Sequence, residues 1–175
     1  MKKALQDEDR TFLTAIDGQI RMQSPALAEV LIEAANKFLE KSDFEREILI
    51  SELHLFEKAI SLWMTRLVEE DVTDKLVDDL NRVTRFVRFR HILMHAKGDL
   101  PCWEHIADIR TSFGPEVKAA YAFSQHLAIG SFVGIKRCLL PSCQRFFIGR
   151  PNAKWCSKKC GSSYRVSQKR KKDKY

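Results

Sequence analysis

Four cysteines near the C-terminal end of the sequence most constrain what this chain can fold into. Cys138, Cys143, Cys156 and Cys160 follow the spacing C-x4-C-x12-C-x3-C. Two close cysteine pairs separated by a loop are typical of a structural zinc site, in which four thiolates bind the ion tetrahedrally. Such a site has no open position for a substrate or an activated water. The spacing therefore predicts one structural Zn2+ ion that holds a small fold together and takes no part in catalysis.

These cysteines could instead form a disulfide pair or be four unrelated thiols. The chain has five cysteines, an odd number, and residues 1–7 lack the apolar core of a secretory signal. Since disulfides are rare in the cytosol, metal binding is favoured and a cytoplasmic location is expected. The fifth cysteine, Cys102, has His105 three residues away, which is a weak motif. We interpret it as an ordinary, partly buried thiol.

The residues around the four cysteines predict a hairpin followed by a helix. Pro141 and Ser142 favour a turn between the first two cysteines. Strands are predicted over 145–148 and 153–155, joined by a turn over 149–152, and a helix is predicted from Ser157 onward. This arrangement is a treble-clef-like zinc module. Phe146, Phe147 and Trp155 would supply a core that so short a segment cannot build without metal.

Charge divides the chain into two unlike parts. Residues 136–175 contain thirteen Lys or Arg and one acidic residue, Asp173, for a net charge of +12, whereas residues 1–135 carry a net charge of −5. This asymmetry predicts that the C-terminal part binds a polyanion. The candidate contacts lie on the predicted last helix and in the loop before it: Arg150, Lys154, Lys158, Lys159, Arg165, Lys169, Arg170 and Lys172.

A basic tail can also be a solubilising or fraying segment. Joined to a zinc module, it favours nucleic acid as the partner, with double-stranded DNA as the first choice. RNA remains open, because Tyr164 and Trp155 can stack on unpaired bases as readily as they pack inside.

The same stretch resembles a known family, the CGNR-type zinc finger. The residues that carry the resemblance are Arg137-Cys138, Cys143-Gln144-Arg145-Phe146-Phe147 and Lys154-Trp155-Cys156-Ser157-Lys158-Lys159-Cys160-Gly161. That module forms the C-terminus of bacterial proteins regarded as transcriptional regulators, behind a helical region often called the ABATE domain. The resemblance implies that the four cysteines bind zinc and that the following helix contacts DNA. Where the family's Asn-Arg follows Cys-Gly, this chain has Ser162-Ser163, and whether Arg165 replaces the missing guanidinium is open.

Residues 1–135 predict an α-helical domain in front of the zinc module, which occupies residues 136–175. Apolar spacing and start signals predict helices over 11–21, from Ser24-Pro25 to Phe38, from Ser42-Asp43 to Leu67, from Val72-Thr73 to Gly98, over 103–113, and from Glu116 into the zinc module. No strand is predicted in this part, so the fold class is mainly α. A domain of this kind can sense a signal or mediate a homodimer.

Residues 119–135 contain no charged side chain, which raises the question of a membrane span. The run is at the short limit of what can cross a bilayer. It also includes Ser124, Gln125, His126 and Ser131. A helix buried among the others is therefore favoured, in a soluble protein without a membrane partner.

Two patterns in the middle of the chain are interpreted as ordinary surface or packing features. His91 and His95 have the i, i+4 spacing of helical metal sites, but no third ligand accompanies them, so we interpret them as packed or surface histidines. Four arginines interleave with apolar residues: Arg82, Arg85, Arg88 and Arg90 alternate with Val83, Phe86, Val87 and Phe89. A solvated face that pairs with Asp78 and Asp79 is favoured over a second contact for nucleic acid or an acidic partner.

No catalytic constellation is evident in the sequence. Treble-clef nucleases need histidines near the finger, but the last histidine is His126, and Asp173 is the only carboxylate side chain after Cys138. We therefore predict a non-enzymatic bacterial transcriptional regulator. The alternatives are a zinc-finger adaptor that binds an acidic protein and an RNA- or ribosome-associated factor.

Overall fold

The computed structural model describes residues 26–48, 51–94, 102–108 and 113–172. These residues form six helices and four short strands: α1 Ala26–Glu40, α2 Asp43–Ile48, α3 Glu52–Glu70, α4 Asp74–Thr84, β1 Arg88–Met94, β2 Cys102–Asp108, α5 Pro115–Ala128, β3 Ile135–Arg137, β4 Phe146–Ile148 and α6 Lys158–Lys172. The mostly helical fold with a small cysteine-rich module at its C-terminal end was predicted from the sequence. The helix predicted over 11–21 lies outside the described residues.

Helix α3 is the centre of the helical domain. It packs against α1 on one side and α5 on another, and α5 also contacts α4. The residues that meet there are apolar and fully or nearly fully buried, among them Leu31, Phe56, Ile60, Met64 and Phe123. The rings of Trp63 on α3 and Phe123 on α5 stack with their centroids 6.3 Å apart. Burial of these side chains is the main force that holds the helices together.

The uncharged segment predicted as a central helix is α5. Its residues from Ala119 to Phe123 are all buried, and the three alanines among them let α5 approach its neighbours closely. Within the described residues, no helix combines the length and the hydropathy that crossing a membrane requires. The helix does not run into the zinc module, as was predicted, but ends at Ala128. Gly130 follows with φ 73°, and the N–H of Ser131 donates to the carbonyl of His126, which is a Schellman ending.

Side-chain caps mark the starts of α3 and α4. The Thr73 hydroxyl accepts a hydrogen bond from the N–H of Leu76 at 3.2 Å, which confirms the start predicted there. The hydroxyl of Ser51 likewise accepts a hydrogen bond from the N–H of His54 at 3.2 Å. Because of this second cap, the long helix predicted from Ser42 to Leu67 is in fact two helices, α2 and α3.

The helices predicted from Val72-Thr73 to Gly98 and over 103–113 are wrong in part. Helix α4 ends at Thr84, whose hydroxyl donates to the carbonyl of Leu80. The chain then forms an antiparallel pair, β1 with β2, in which Arg88 faces Asp108, His91 faces His105 and Met94 faces Cys102. His91 is therefore in a strand, and the helical i, i+4 spacing with His95 does not apply. Cross-strand pairing with β2 outweighs the helical apolar spacing of residues 87–94.

The C-terminal module contains the second strand pair. In the antiparallel pair of β3 and β4, Ile135 faces Ile148 and Arg137 faces Phe146. The strand predicted over 153–155 is absent from the described residues, where the N–H of Leu139 donates to the carbonyl of Lys154 but no strand ladder forms. Strand β3 ends just before Cys138, and β4 begins after Cys143. The first two cysteines therefore lie in the loop of this hairpin.

Candidate metal centre and basic helix

The four cysteine sulfurs of the C-terminal module lie within 4.8 Å of one another. The Sγ atoms of Cys143 and Cys156 are 3.6 Å apart, as are those of Cys156 and Cys160. Thiolates about 2.3 Å from one tetrahedral ion would be separated by about 3.8 Å, whereas a disulfide bond is about 2.05 Å long. The four thiols can therefore hold one metal ion.

Backbone hydrogen bonds in the β3–β4 loop place the first two cysteines. The N–H of Cys138 donates to the carbonyl of Arg145 at 2.9 Å, and the N–H of Cys143 donates to the carbonyl of Leu140 at 2.9 Å. Gln144 then has φ 54°, which turns the chain back into β4. This tight reversal brings both sulfurs to the same side of the hairpin.

The start of α6 places the other two cysteines. The Ser157 hydroxyl accepts a hydrogen bond from the N–H of Cys160 at 3.2 Å, the geometry of a helix N-cap. Cys156 and Cys160 therefore stand one helical turn apart, at the end of α6 that faces the hairpin. A metal bound by all four sulfurs would join the hairpin to the helix.

The pKa values of the cysteine thiols differ from one another, and their shifts bear on how the four thiols could become thiolates. Burial, with hydrogen bonds that the Cys156 thiol donates to the neighbouring cysteine sulfurs, raises the pKa of Cys156 to about 12. Burial also raises the pKa of Cys143. The pKa of Cys160 is lowered, first by the hydrogen bond from the Ser157 hydroxyl. Several thiolates in one place repel each other and are poorly solvated, so a bound cation must compensate their charge.

An aromatic cluster supports the first turns of α6. The rings of Trp155 and Tyr164 lie with their centroids 5.7 Å apart. A Cβ atom at Gly161 would lie 3.2 Å from Cε3 of Trp155, so the indole covers the backbone of the helix at that point. Trp155 and Tyr164 thus pack against each other. The guanidinium of Arg165 lies over Trp155, 5.9 Å from the ring centroid, and its Nη2 is 3.4 Å from the Ser162 hydroxyl.

Lys136, in β3, is a residue of the module that sequence reasoning missed. Its Nζ donates to the carbonyl of Arg150 at 2.9 Å, to that of Ala153 at 3.4 Å and to that of Pro151. One ammonium group thus holds the loop between β4 and α6, and this loop carries two candidate contacts, Arg150 and Lys154. A single lysine within a strand has no sequence spacing that would reveal this role.

Besides Lys136, two groups of cations in the module have different surroundings. Arg137 and Arg145 bind the helical domain: Arg137 lies 3.6 Å from Glu69, and Arg145 lies 3.0 Å from Glu33 and 2.7 Å from Glu40. The candidate nucleic-acid contacts form the second group. Seven of them have exposed, described side chains: Arg150, Lys154, Lys158, Lys159, Arg165, Lys169 and Arg170. Lys172, the eighth, is the last residue of α6.

None of those seven side chains forms an ion pair with a carboxylate of the described residues. The positive charge of the module is therefore partly used to attach it to the helical domain. The remainder faces solvent along α6 and the loop before it.

The chain was compared with models of protein families and with curated proteins, and neither comparison gave a match.

Proposed function

We propose that this chain is a DNA-binding transcriptional regulator of the bacterial cytoplasm whose single zinc ion is structural. The observation that carries the proposal is the convergence of four thiols at the first turn of a helix whose exposed cations have no acidic partner among the described residues. The resemblance to the CGNR-type zinc finger points the same way.

Zinc is the ion that suits these ligands best. A set of four thiolates is used by tetrahedral zinc and by iron–sulfur clusters. A cluster needs room for several irons and inorganic sulfide between the cysteines, whereas all four sulfurs here lie within 4.8 Å of one another. Four thiolates leave no position for a bound water, so the ion has no catalytic part in the proposal.

The ion acts by fixing the position of α6. Cys156 and Cys160 belong to the start of that helix, and Cys138 and Cys143 belong to the hairpin loop. With the metal bound, the exposed lysines and arginines of α6 and of the preceding loop form one rigid basic surface. Duplex DNA offers a matching row of phosphates, and each phosphate that is neutralised releases condensed counterions.

The test combines metal analysis with DNA binding. Protein purified under reducing conditions should contain one equivalent of zinc. Its affinity for duplex DNA should fall with salt, with a log–log slope of about −4 to −5 if about five phosphates are contacted. Absence of a stoichiometric transition metal, or an affinity that salt leaves unchanged, would overturn the proposal.

Charge reversal on α6 tests whether this helix itself contacts DNA or whether binding depends only on the net charge of the chain. Arg165→Glu with Lys169→Glu should weaken duplex binding strongly and leave the zinc content unchanged. The matched control is Lys58→Glu with Lys75→Glu, which changes the net charge equally at exposed positions of the helical domain. Equal losses in the two double variants would show that α6 is not the contact.

The same assay distinguishes the alternative functions. Structured RNA bound in preference to duplex DNA would indicate an RNA- or ribosome-associated factor. Retention of an acidic protein without binding to any nucleic acid would indicate an adaptor.

A further inference from the structure

A second exposed basic surface lies on the helical domain, far in sequence from the zinc module. It consists of Arg85 and Phe86, which follow α4, and of Arg88 and Phe89, the first two residues of β1, and is called here the Arg-Phe corner. Phe86 is 61% exposed and Phe89 is 51% exposed. Both arginines are exposed as well. The two exposed rings lie three residues apart in the sequence, and exposed apolar side chains bordered by charged residues can mark an interaction site.

The charge around the corner is opposite to that of its domain. Residues 81–98 contain four arginines, one lysine and no acidic residue, whereas residues 1–135 as a whole carry a net charge of −5. The rest of the helical domain is therefore more acidic than its total suggests. Within this segment the exposed side chains of Arg85 and Arg88 can attract a negatively charged ligand.

Contacts with the core hold the corner in a defined conformation. The N–H of Val87 donates to the carbonyl of Thr84 at 2.8 Å, and the side chain of Val87 packs against the hydrophobic core. The ring of Phe89 contacts that of Tyr121, which is 6% exposed, with centroids 6.2 Å apart. Val87 and the ring of Phe89 are thus held by contacts with the core, so ordering this ring on binding would cost little conformational entropy.

The arginines of this region have different partners. Arg82 pairs with Asp79, as the sequence led us to expect for this face, and Asp79 also binds Arg66 at 2.9 Å. Arg85 has no carboxylate partner among the described residues, and its guanidinium lies over the Phe86 ring, 4.5 Å from the centroid. Arg88 is the backbone register partner of Asp108 in the β1–β2 pair. Arg85, which is exposed and has no carboxylate partner among the described residues, is therefore available to a ligand.

We propose that the Arg-Phe corner binds single-stranded nucleic acid. Unpaired bases stack on the exposed faces of Phe86 and Phe89, and Arg85 contacts the phosphate that joins them. Alternating aromatic rings and cations are the arrangement by which proteins hold single strands without reading their sequence. An acidic protein would need the guanidinium groups but not the rings. A duplex offers no unstacked base to the rings.

The experiment uses the full, zinc-loaded chain and a fluorescently labelled oligothymidylate of about ten nucleotides, with binding measured by anisotropy. Phe86→Ala with Phe89→Ala should weaken binding by about tenfold or more, the effect expected when stacking on two rings is lost. Phe44→Ala is the matched control, because Phe44 is 72% exposed on α2, outside the cationic segment. Arg85→Gln should also weaken binding, whereas Lys75→Gln on α4 should not.

A second comparison separates this site from the proposed function of the zinc module. In the Arg165→Glu, Lys169→Glu background, replacing the two rings should still weaken oligothymidylate binding. That result supports the corner even if α6 proves not to bind duplex DNA.

Three outcomes would overturn the inference. The ring variant and Phe44→Ala could bind the oligonucleotide equally well. The Phe86→Ala, Phe89→Ala variant could lose affinity for duplex and for single-stranded DNA to the same extent. Since a duplex has no unstacked base for the rings, that result would indicate that the corner contacts phosphates alone. A polyglutamate peptide could displace the oligothymidylate from the Phe86→Ala, Phe89→Ala variant. That result would indicate an acidic protein as the partner of the corner. Far-ultraviolet circular dichroism and zinc content verify that each variant is folded.

Discussion

The side-chain amide of Asn36 forms two hydrogen bonds with the backbone of Phe146. Its Oδ1 accepts from the N–H of Phe146 at 2.7 Å, and its Nδ2 donates to the carbonyl of Phe146 at 3.0 Å. Both residues are buried, with 2% of each exposed. Asn36, on α1, thus takes the place of a neighbouring strand beside β4. The zinc module is joined to the helical domain by this amide and by the two ion pairs of Arg145 with the same helix.

This relationship predicts a large effect of Asn36→Leu on stability. The substitution leaves the N–H and the carbonyl of Phe146 buried without partners, at a cost of about 1–3 kcal/mol for each group. The free energy of unfolding, measured by denaturant titration, should therefore fall by about 2–6 kcal/mol. Asn81→Leu on α4, where the asparagine is exposed, is the control and should change it little. Similar losses in both variants would contradict the role assigned to Asn36.

From the four-cysteine site we predict that the loss of one ligand abolishes both metal binding and the folded structure of the module. Cys156→Ser should release the ion and unfold α6 together, because binding and folding of such a site are coupled. Elemental analysis and the loss of helical circular dichroism measure the two effects on one sample. Cys102→Ser is the control and should keep the metal. A Cys156→Ser protein with full metal content would exclude Cys156 as a ligand.

The carbonyl contacts of Lys136 predict a loss of DNA affinity without a loss of zinc. Lys136→Met keeps the apolar stem but removes the donor that holds the carbonyls of Arg150, Pro151 and Ala153. The loop should become mobile, and duplex affinity should fall by about threefold to tenfold, the effect of losing about one ordered charge-assisted interaction. Lys58→Met, an exposed lysine of the helical domain, controls for the lost charge. If both variants bind DNA equally, Lys136 does not position the loop.

His126 predicts a specific dependence of stability on pH. Burial lowers its pKa below the ordinary value of 6.5, and its Nδ1 lies 3.0 Å from the Ser131 hydroxyl. The folded state therefore prefers the neutral ring, whereas the unfolded chain takes up a proton near pH 6.5. Above that pH the neutral ring makes its full contribution to the free energy of unfolding. This contribution is lost as the pH falls through the lowered pKa of His126 in the folded protein.

The free energy of unfolding of the native protein and of His126→Gln, measured from neutral to mildly acidic pH, tests this assignment. The native protein should lose stability faster than the variant on acidification. Both proteins contain the same cysteines, so acid release of metal contributes equally to both curves. Parallel curves would show that His126 is not responsible for the loss.

The most local features of the fold were predictable from sequence. The spacing of Cys138, Cys143, Cys156 and Cys160 predicted the four side chains that the structure brings within 4.8 Å, because close cysteine pairs need only a turn or one helical turn to converge. Thr73 predicted the start of α4, because an N-cap acts on residues three positions away. Likewise, the uncharged run after Lys118 predicted a buried helix, because only a buried helix can be apolar on all sides.

Tertiary structure alone decided which segments pair and which cations remain available. The β1–β2 hairpin and the pairing of β3 with β4 depend on hydrogen bonds between separate segments, and local spacing favoured a helix for the first and a different partner strand for the second. Asn36 and Arg145 acquire their roles from contacts over more than a hundred residues of sequence. The sequence gives the number of charged side chains but not their positions or partners in the folded protein. The division between the arginines that attach the module and the cations that face solvent therefore arises only when the chain is folded.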